Sequence, residues 1–164
     1  MRLKLEVDAS GLQKATAQFA RAARDYRPVW PRVAGVIYED LRERFETGGR
    51  GQWPPLSESY RAWKLRHYPS SGIGVRTGDL MRSVISQTNP NAIYKEGRLL
   101  LTIGTSVPYA KLFDEGWASK KTRAKAPPRP IYVISSTGER AANEQLFEYL
   151  AGEAKEAGFE VRRS

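Results

Sequence analysis

Apolar residues at helical spacing mark the first two long helices of this chain. In the first helix these residues follow a capping box at Ser10 and Gln13, and this pattern predicts a helix over residues 10–26. A second helix begins at Pro31, because proline lacks only an N–H that has no partner at a helix start. The buried face of this second helix is predicted to contain the apolar residues spaced by four, Val33, Ile37, Leu41 and Phe45.

Four further segments carry helix signals. A capping box at residues 136–139 predicts a long final helix that ends at Gly158. Ser57 is placed to cap a short helix, and Thr77 to cap a helix of one or two turns. Residues 108–116 predict a small helix, which begins with proline and ends with glycine.

Other segments alternate apolar and polar residues or are rich in β-branched residues, both of which are typical of strands. Residues 3–7 predict a half-buried strand, and residues 131–134 and 159–161 predict short strands. Residues 83–94 and 98–104 read as the two arms of a hairpin. The chain is therefore predicted to be α+β, with an antiparallel sheet of about four strands packed against two long helices and joined by long loops.

The composition indicates one soluble domain over residues 1–164. Hydrophobic residues make up 40% and charged residues 27% of the chain, which are ordinary values for a globular protein. No apolar run is long enough to span a membrane, and the alternation that begins at Met1 is unlike the apolar block of a signal peptide. We expect no membrane partner, and a chain that stays in the cytoplasm where it is made.

The residues that carry most enzyme chemistry are scarce. The chain has no cysteine, which removes disulfides, thiolate nucleophiles and the usual structural zinc sites. Its single histidine, His67, is expected to close a helix rather than to act in catalysis, because no serine lies in a nucleophile-elbow pattern. We therefore predict a protein that is not an enzyme and that has no catalytic residues, cofactor or metal.

The net charge of +9 is concentrated in one loop. Residues 116–135 contain five cations and no acid, whereas the segment from Ser136 onward has six glutamates against four basic residues. The cations that we expect to face water, a polyanion or an acidic neighbouring protein are Lys120, Lys121, Arg123, Lys125 and Arg129.

The order and spacing of several short motifs over about residues 30–134 resemble the phage virion-morphogenesis family, which includes the Mu-type and P2-type tail-completion proteins. The motifs that carry the resemblance are Phe45, the glycine-rich loop to Trp53-Pro-Pro-Leu56, Tyr60, Lys64, Thr77-Gly-Asp-Leu80, Ile103-Gly-Thr105, Tyr109-Ala110, Gly116 and Pro128-Arg-Pro130. The chain departs from the family where Phe113, Asp114 and Glu115 replace a His-Gln-aromatic run. Its loop before Arg129 is also strongly basic.

This resemblance implies a structural protein of the virion neck or tail that is present in the host cytoplasm during assembly. It implies a ring of identical subunits, for example a hexamer, at the head–tail junction, in contact with connector or tail proteins and with packaged DNA. Exposed aromatic residues suit such contacts, and Trp53 and Trp117 are the candidates. For Trp53, a place in the protein's own core is an equally good interpretation.

Two alternatives belong to other functional classes. The basic loop would also suit a nucleic-acid-binding protein that acts outside a virion, because phosphate attraction needs only clustered lysine and arginine. A nuclease or peptidoglycan hydrolase is the weaker alternative, because no constellation of residues supports catalysis.

Overall fold

The structure is a computed structural model that describes residues 10–119 and 125–161. The predicted strand over residues 3–7 lies outside the described residues, as do Lys120, Lys121 and Arg123. The described helices are α1 (Ser10–Ala22), α2 (Trp30–Glu46), α3 (Glu58–His67), α4 (Asp79–Val84), α5 (Ala110–Glu115) and α6 (Ser136–Glu156). The strands are β1 (Ala92–Glu96), β2 (Leu101–Thr105), β3 (Trp117–Ala118) and β4 (Lys125–Ala126).

Helix α2 is at the centre of the fold and packs against α6 and α4. Its predicted apolar face is confirmed, since Val33, Leu41 and Phe45 are buried and Ile37 packs against them. The apolar residues of α2 join two clusters, one near its start around Trp30 and one near its end around Phe45. The three long helices that the sequence predicted are present as α1, α2 and α6, and α6 packs against both α1 and α2.

Two predicted helix boundaries differ from the observed ones. Helix α1 ends at Ala22 rather than at Tyr26, because the Tyr26 N–H donates to the Arg98 carbonyl at 2.7 Å instead of to its own helix. Helix α6 is capped by Ser135, whose hydroxyl accepts from the Gly138 N–H.

The prediction that Thr77 caps α4 is wrong. The N-cap residue of α4 is Gly78, which has the left-handed backbone conformation and no side chain to form a cap. The Thr77 hydroxyl instead donates to the exposed carboxylate of Asp79 at 2.5 Å. The predicted length of one or two turns is confirmed.

The hairpin is confirmed as the antiparallel pair β1–β2, in which Ala92 lies opposite Thr105. Its first arm begins at Ala92 and not near Ser83 as predicted, because residues up to Val84 belong to α4. Leu80 and Val84 are four residues apart, so the helix turns both side chains into the core.

The predicted sheet of about four strands is wrong, because the described residues form two separate two-stranded sheets, β1–β2 and β3–β4. Residues 131–134 begin with a bend at Ile131 and are otherwise irregular rather than a strand. The Ile131 N–H donates to the Asp114 carboxylate at 2.7 Å, and the Pro130 carbonyl accepts from Arg44 and Trp53 at 3.0 Å. The Val133 N–H donates to the Ile131 carbonyl at 2.9 Å, so the segment makes a tight turn instead of pairing with a neighbouring strand.

Residues 159–161 are also irregular rather than a strand. The Phe159 N–H donates to the Ala154 carbonyl at 2.9 Å and so closes the end of α6. Gly158, with a φ of +89°, makes the turn that this bond requires, and the predicted helix end is confirmed.

Candidate docking groove

A groove of about 1230 Å³ opens on the side of the molecule where α3, α5 and the β3–β4 hairpin meet. Its lining residues fall in the ranges 55–64, 74–80, 109–117 and 125–129. The lining is mainly apolar, with Leu80 and Phe113 among its residues. A concave apolar surface of this kind, with a few polar groups, is typical of a site that binds a ligand or a partner segment.

Two glycines allow the walls of the groove to approach closely. Gly74 has a φ of +78°, and a Cβ there would lie 2.8 Å from the ring of Phe113. Gly116 ends α5 with a φ of +77°, and a Cβ there would lie 2.7 Å from the Ala126 carbonyl oxygen. Only glycine fits either position without strain. Because glycine has no side chain, α5 can pack against the core at Gly74, and β3 can lie beside β4 at Gly116.

Large apolar side chains stand exposed around the opening of the groove. Tyr60, Tyr109, Leu112 and Trp117 are 40%, 46%, 52% and 43% exposed. Tyr60 stacks on Trp63, which is itself 40% exposed, with ring centroids 5.5 Å apart. Clustered exposed aromatic residues of this kind mark surfaces that bind other proteins.

Two cations are buried in the wall of this apolar groove. Arg129, only 5% exposed, donates to the carbonyls of Pro54 and Pro55 at 3.0 and 3.1 Å. Lys64 is equally buried, and its Nζ donates to the Gly72 carbonyl at 2.5 Å. Among the described residues, no carboxylate lies within ion-pair distance of either side chain, so both positive charges lack a counter-ion.

Burial lowers the pKa of Lys64, and the charges of Arg129 and Arg76 lower it further. Burial also lowers the pKa of Arg129. Arg76 and Lys125 add exposed positive charge to the lining, and Glu58 is the one carboxylate among the described residues that line the groove. The groove is therefore both apolar and electropositive, which suits a partner that carries an apolar side chain beside a carboxylate.

The structure separates the residues that the sequence grouped together. Trp117 and Lys125 are both exposed and both line the groove, and their contact with a partner or with DNA stays a prediction. Arg129 is buried, so the predicted interpretation in which it faces water is wrong, because three backbone carbonyls bind its guanidinium in the wall of the groove.

Trp53 lies in the core, which was one of its two interpretations. It is 5% exposed, it packs edge-on against Phe45 and Phe113, and its Nε1 donates to the Pro130 carbonyl. It therefore cannot serve as an exposed anchor for a partner without unfolding this part of the core.

The sequence did not single out Lys64, Tyr109 and Leu112 as neighbours in one groove. One signal was present for Lys64, since no acidic residue lies three or four positions from it on α3. A lysine with that placement has no partner on its own helix. Its burial beside residues of α4 and α5 depends on the tertiary fold.

His67 occupies the last position of α3, where its ring stacks on Trp63 and its Nδ1 lies 2.7 Å from the Trp63 carbonyl. In residues 10–119 and 125–161 there is no cluster of three or more histidine and carboxylate side chains that could hold a metal ion. None of the helices in these ranges is long and apolar enough to cross a membrane.

Comparison with known proteins agrees with a role in assembly. The phage virion morphogenesis family matches residues 7–151 of the chain. The "Mu-like prophage FluMu G protein 2" of Haemophilus influenzae is 26% identical over 150 residues, which cover 89% of this chain and 96% of that protein. No solved structure matches the chain significantly.

Proposed function

Because this chain belongs to the phage virion morphogenesis family, we propose that it completes the tail or joins it to the head as a ring of identical subunits at the head–tail junction. Family membership by itself assigns a structural role in building the phage particle. The position at the neck or upper end of the tail, the ring and the neighbouring proteins are the proposal.

The groove is the observation that supports this function best. It combines four exposed apolar side chains with buried cations that have no counter-ion within residues 10–119 and 125–161, and both features call for another protein surface. A subunit in a ring needs two different contact surfaces, one for each neighbour, and the groove supplies one of them. The matched Mu-like prophage protein spans nearly the same length, which favours a phage context for the whole chain.

The basic loop supplies a second contact in this proposal. Lys125 is exposed at its end, and Lys120, Lys121 and Arg123 precede it in the sequence. Repeated around a ring, these charges would form a positively charged band that attracts packaged DNA without sequence preference. The same charges could instead bind an acidic surface on an adjoining ring.

Deletion of this gene from its phage tests the assembly role directly. We expect full heads and separate tails to accumulate, and no infectious particles, until the gene is supplied from a plasmid. Electron microscopy with an epitope-tagged copy should then place the label at the head–tail junction. Normal joined and infectious particles in the deletion mutant would contradict the proposal, as would a label confined to another part of the virion.

The basic loop is tested by changing Lys120, Lys121, Arg123 and Lys125 together to serine. We expect a folded protein that joins heads and tails poorly or retains DNA poorly. A matched control changes four exposed cations outside the groove, Lys14, Arg24, Arg32 and Lys95, to serine, which removes the same charge. Full infectivity of phage with the loop variant would show that the loop only connects its neighbouring segments.

The alternative, a nucleic-acid-binding protein outside the virion, makes a different prediction. Light scattering after size-exclusion chromatography, with and without DNA, would then show a monomer that binds DNA tightly and releases it as salt rises. An oligomer that forms without DNA favours the assembly role.

A further inference from the structure

The chain carries a second surface whose chemistry complements the groove. The described residues of the segment 136–161 contain six glutamates and two basic residues, which makes this part acidic in a strongly basic protein. On the outer side of α6, Phe147 is 41% exposed, and Glu148 beside it is exposed as well. Helix α6 therefore presents a large apolar side chain and a carboxylate at successive positions, which complement the apolar lining and the cations of the groove.

The two surfaces lie toward opposite ends of α2. The groove adjoins the end of α2, because Phe45 contacts the groove wall at Gly74 and packs on Trp53. Phe147 lies toward the other end, because Tyr149, two residues later, packs on Tyr26 and donates to the Asp25 carbonyl just before α2 begins. The fifteen residue-to-residue steps from Trp30 to Phe45 span about 22 Å along the helix axis.

We propose that the groove of one subunit receives the outer face of α6 from a second copy of this chain. Phe147 enters between the apolar side chains of the groove, and Glu148 supplies a carboxylate to its cations. This inference rests on the proposed function and identifies the contact that would join its subunits.

Two physical features favour a second copy as the occupant. Buried cations such as Lys64 and Arg129 are costly without a counter-ion, and a carboxylate delivered from outside removes that cost. The same chain supplies such carboxylates on a helix face with an exposed aromatic residue, as binding in an apolar groove requires.

The separation of the two surfaces determines the kind of assembly. A contact between different surfaces is heterologous, so each subunit keeps one free groove and one free α6 face after it binds a neighbour. Such contacts close into a ring when the rotation between subunits allows it. A two-fold contact would stop at a dimer.

The absence of cysteine allows a direct test. Ser57→Cys places a thiol at the groove, where Ser57 is exposed and makes no capping bond, and Ala151→Cys places one on α6 a turn beyond Phe147. A flexible bismaleimide reagent is added to the purified double variant and to phage particles assembled with it. We expect a ladder of covalent multimers up to a fixed subunit number.

Two controls separate this contact from random collisions. The single-cysteine variants can give dimers at most. A double variant with Ser57→Cys and Gln87→Cys, whose second thiol lies on an exposed loop outside both surfaces, should give only the background of a collision. A ladder as strong in this control as in the test pair would overturn the proposal, and so would the absence of multimers from both preparations of the test pair.

Side-chain changes test the anchor itself. Added to the double-cysteine variant, Phe147→Ser should lower the yield of multimers by on the order of tenfold or more, as loss of an interface anchor does. Leu99→Ser, which changes a more exposed apolar residue outside both surfaces, should leave the yield unchanged. Equal yields in the two variants would contradict a role for Phe147.

The proposed function and this contact can fail separately. If the gene deletion leaves heads and tails unjoined but the test pair gives no ladder, the protein acts at the junction and another surface or another protein fills the groove. If the ladder forms but the deletion mutant joins heads to tails normally, the subunit contact stands and the assembly role at the junction fails.

Discussion

The carboxylate of Asp40 in α2 accepts hydrogen bonds from both the backbone N–H and the hydroxyl of Ser135, a residue 95 positions away. The N–H contact is 3.0 Å long, and Arg50 approaches the same carboxylate at 2.7 Å. Because the Ser135 hydroxyl also accepts from the Gly138 N–H, Asp40 ties the start of α6 to the middle of α2. This link orients α6, and with it the Phe147 face.

Asp40 should make the stability of the fold depend on acid pH. Burial opposes its ionisation, but the hydrogen bonds from Ser135 and Arg50 outweigh burial, so the pKa of Asp40 lies below its usual value. A depressed carboxyl pKa contributes stability that is complete above the unfolded pKa, near pH 4, and is lost as pH falls through the folded pKa. Urea unfolding from pH 7 to pH 2 measures the effect.

The matched variant is Asp40→Asn, which keeps the shape and one acceptor oxygen. It should lose about 1–3 kcal/mol of unfolding free energy at pH 7, and the difference from the wild type should shrink below about pH 4. A difference that stays constant over this range would show that the charge of Asp40 does not contribute.

Two glycines of α6 should respond in opposite ways to alanine. A Cβ at Gly138 would lie 2.6 Å from the Asp40 carboxylate, whereas a Cβ at Gly152 would have no neighbour within 4 Å. Gly138→Ala should therefore cost about 1–3 kcal/mol through overpacking. Gly152→Ala should stabilise the helix by about 0.5–1 kcal/mol. Thermal unfolding of both variants measures these two changes in stability. A stabilising Gly138→Ala would show that α6 does not approach Asp40.

Phe45→Ala should lower the unfolding free energy by about 3–5 kcal/mol, the usual range for a core phenylalanine. Phe45 is 1% exposed and packs on Trp53 and against Gly74 in the groove wall. Leu99→Ala is the control, since this residue is 65% exposed and should change stability by no more than about 0.5 kcal/mol. Chemical denaturation compares the two, and an unchanged transition for Phe45→Ala would refute the assigned core.

Lys64→Met should weaken assembly without lowering the stability of the fold. Because the buried ammonium has no counter-ion among the described residues, and the carbonyl that it binds belongs to the exposed Gly72, which water can reach, replacement by an apolar side chain of similar size should leave the unfolding free energy unchanged or raise it. The yield of cross-linked multimers should fall. Arg129→Met is the contrast, because it leaves the carbonyls of Pro54 and Pro55 without donors and should cost about 2 kcal/mol.

Thr77→Ala should leave stability within about 0.5 kcal/mol of the wild type. The Thr77 hydroxyl binds only the exposed Asp79 carboxylate and does not cap α4. A scanning calorimetry experiment provides the measurement. A loss of about 1 kcal/mol or more would mean that the threonine does cap the helix in solution.

The sequence by itself determined the features that depend on neighbours along the chain. The spacing of Leu41 and Phe45 identified the buried face of α2, and Gly116 and Gly158 marked the ends of α5 and α6, because periodicity and left-handed glycines act within a few residues. The hairpin around Gly97 was predictable for the same reason. Motif order pointed to the family, which residues 7–151 confirm.

The tertiary structure alone decided what depends on distant partners. Residues 131–134 have a strand-like sequence, yet side chains from α2, the loop at Trp53 and α5 bind the backbone of Pro130 and Ile131, and the chain turns there instead of joining a sheet. Arg129 reads as one more cation of a basic loop, but the carbonyls of Pro54 and Pro55 draw it into the groove. Local patterns carry no record of such bonds, because they join residues that only folding brings together.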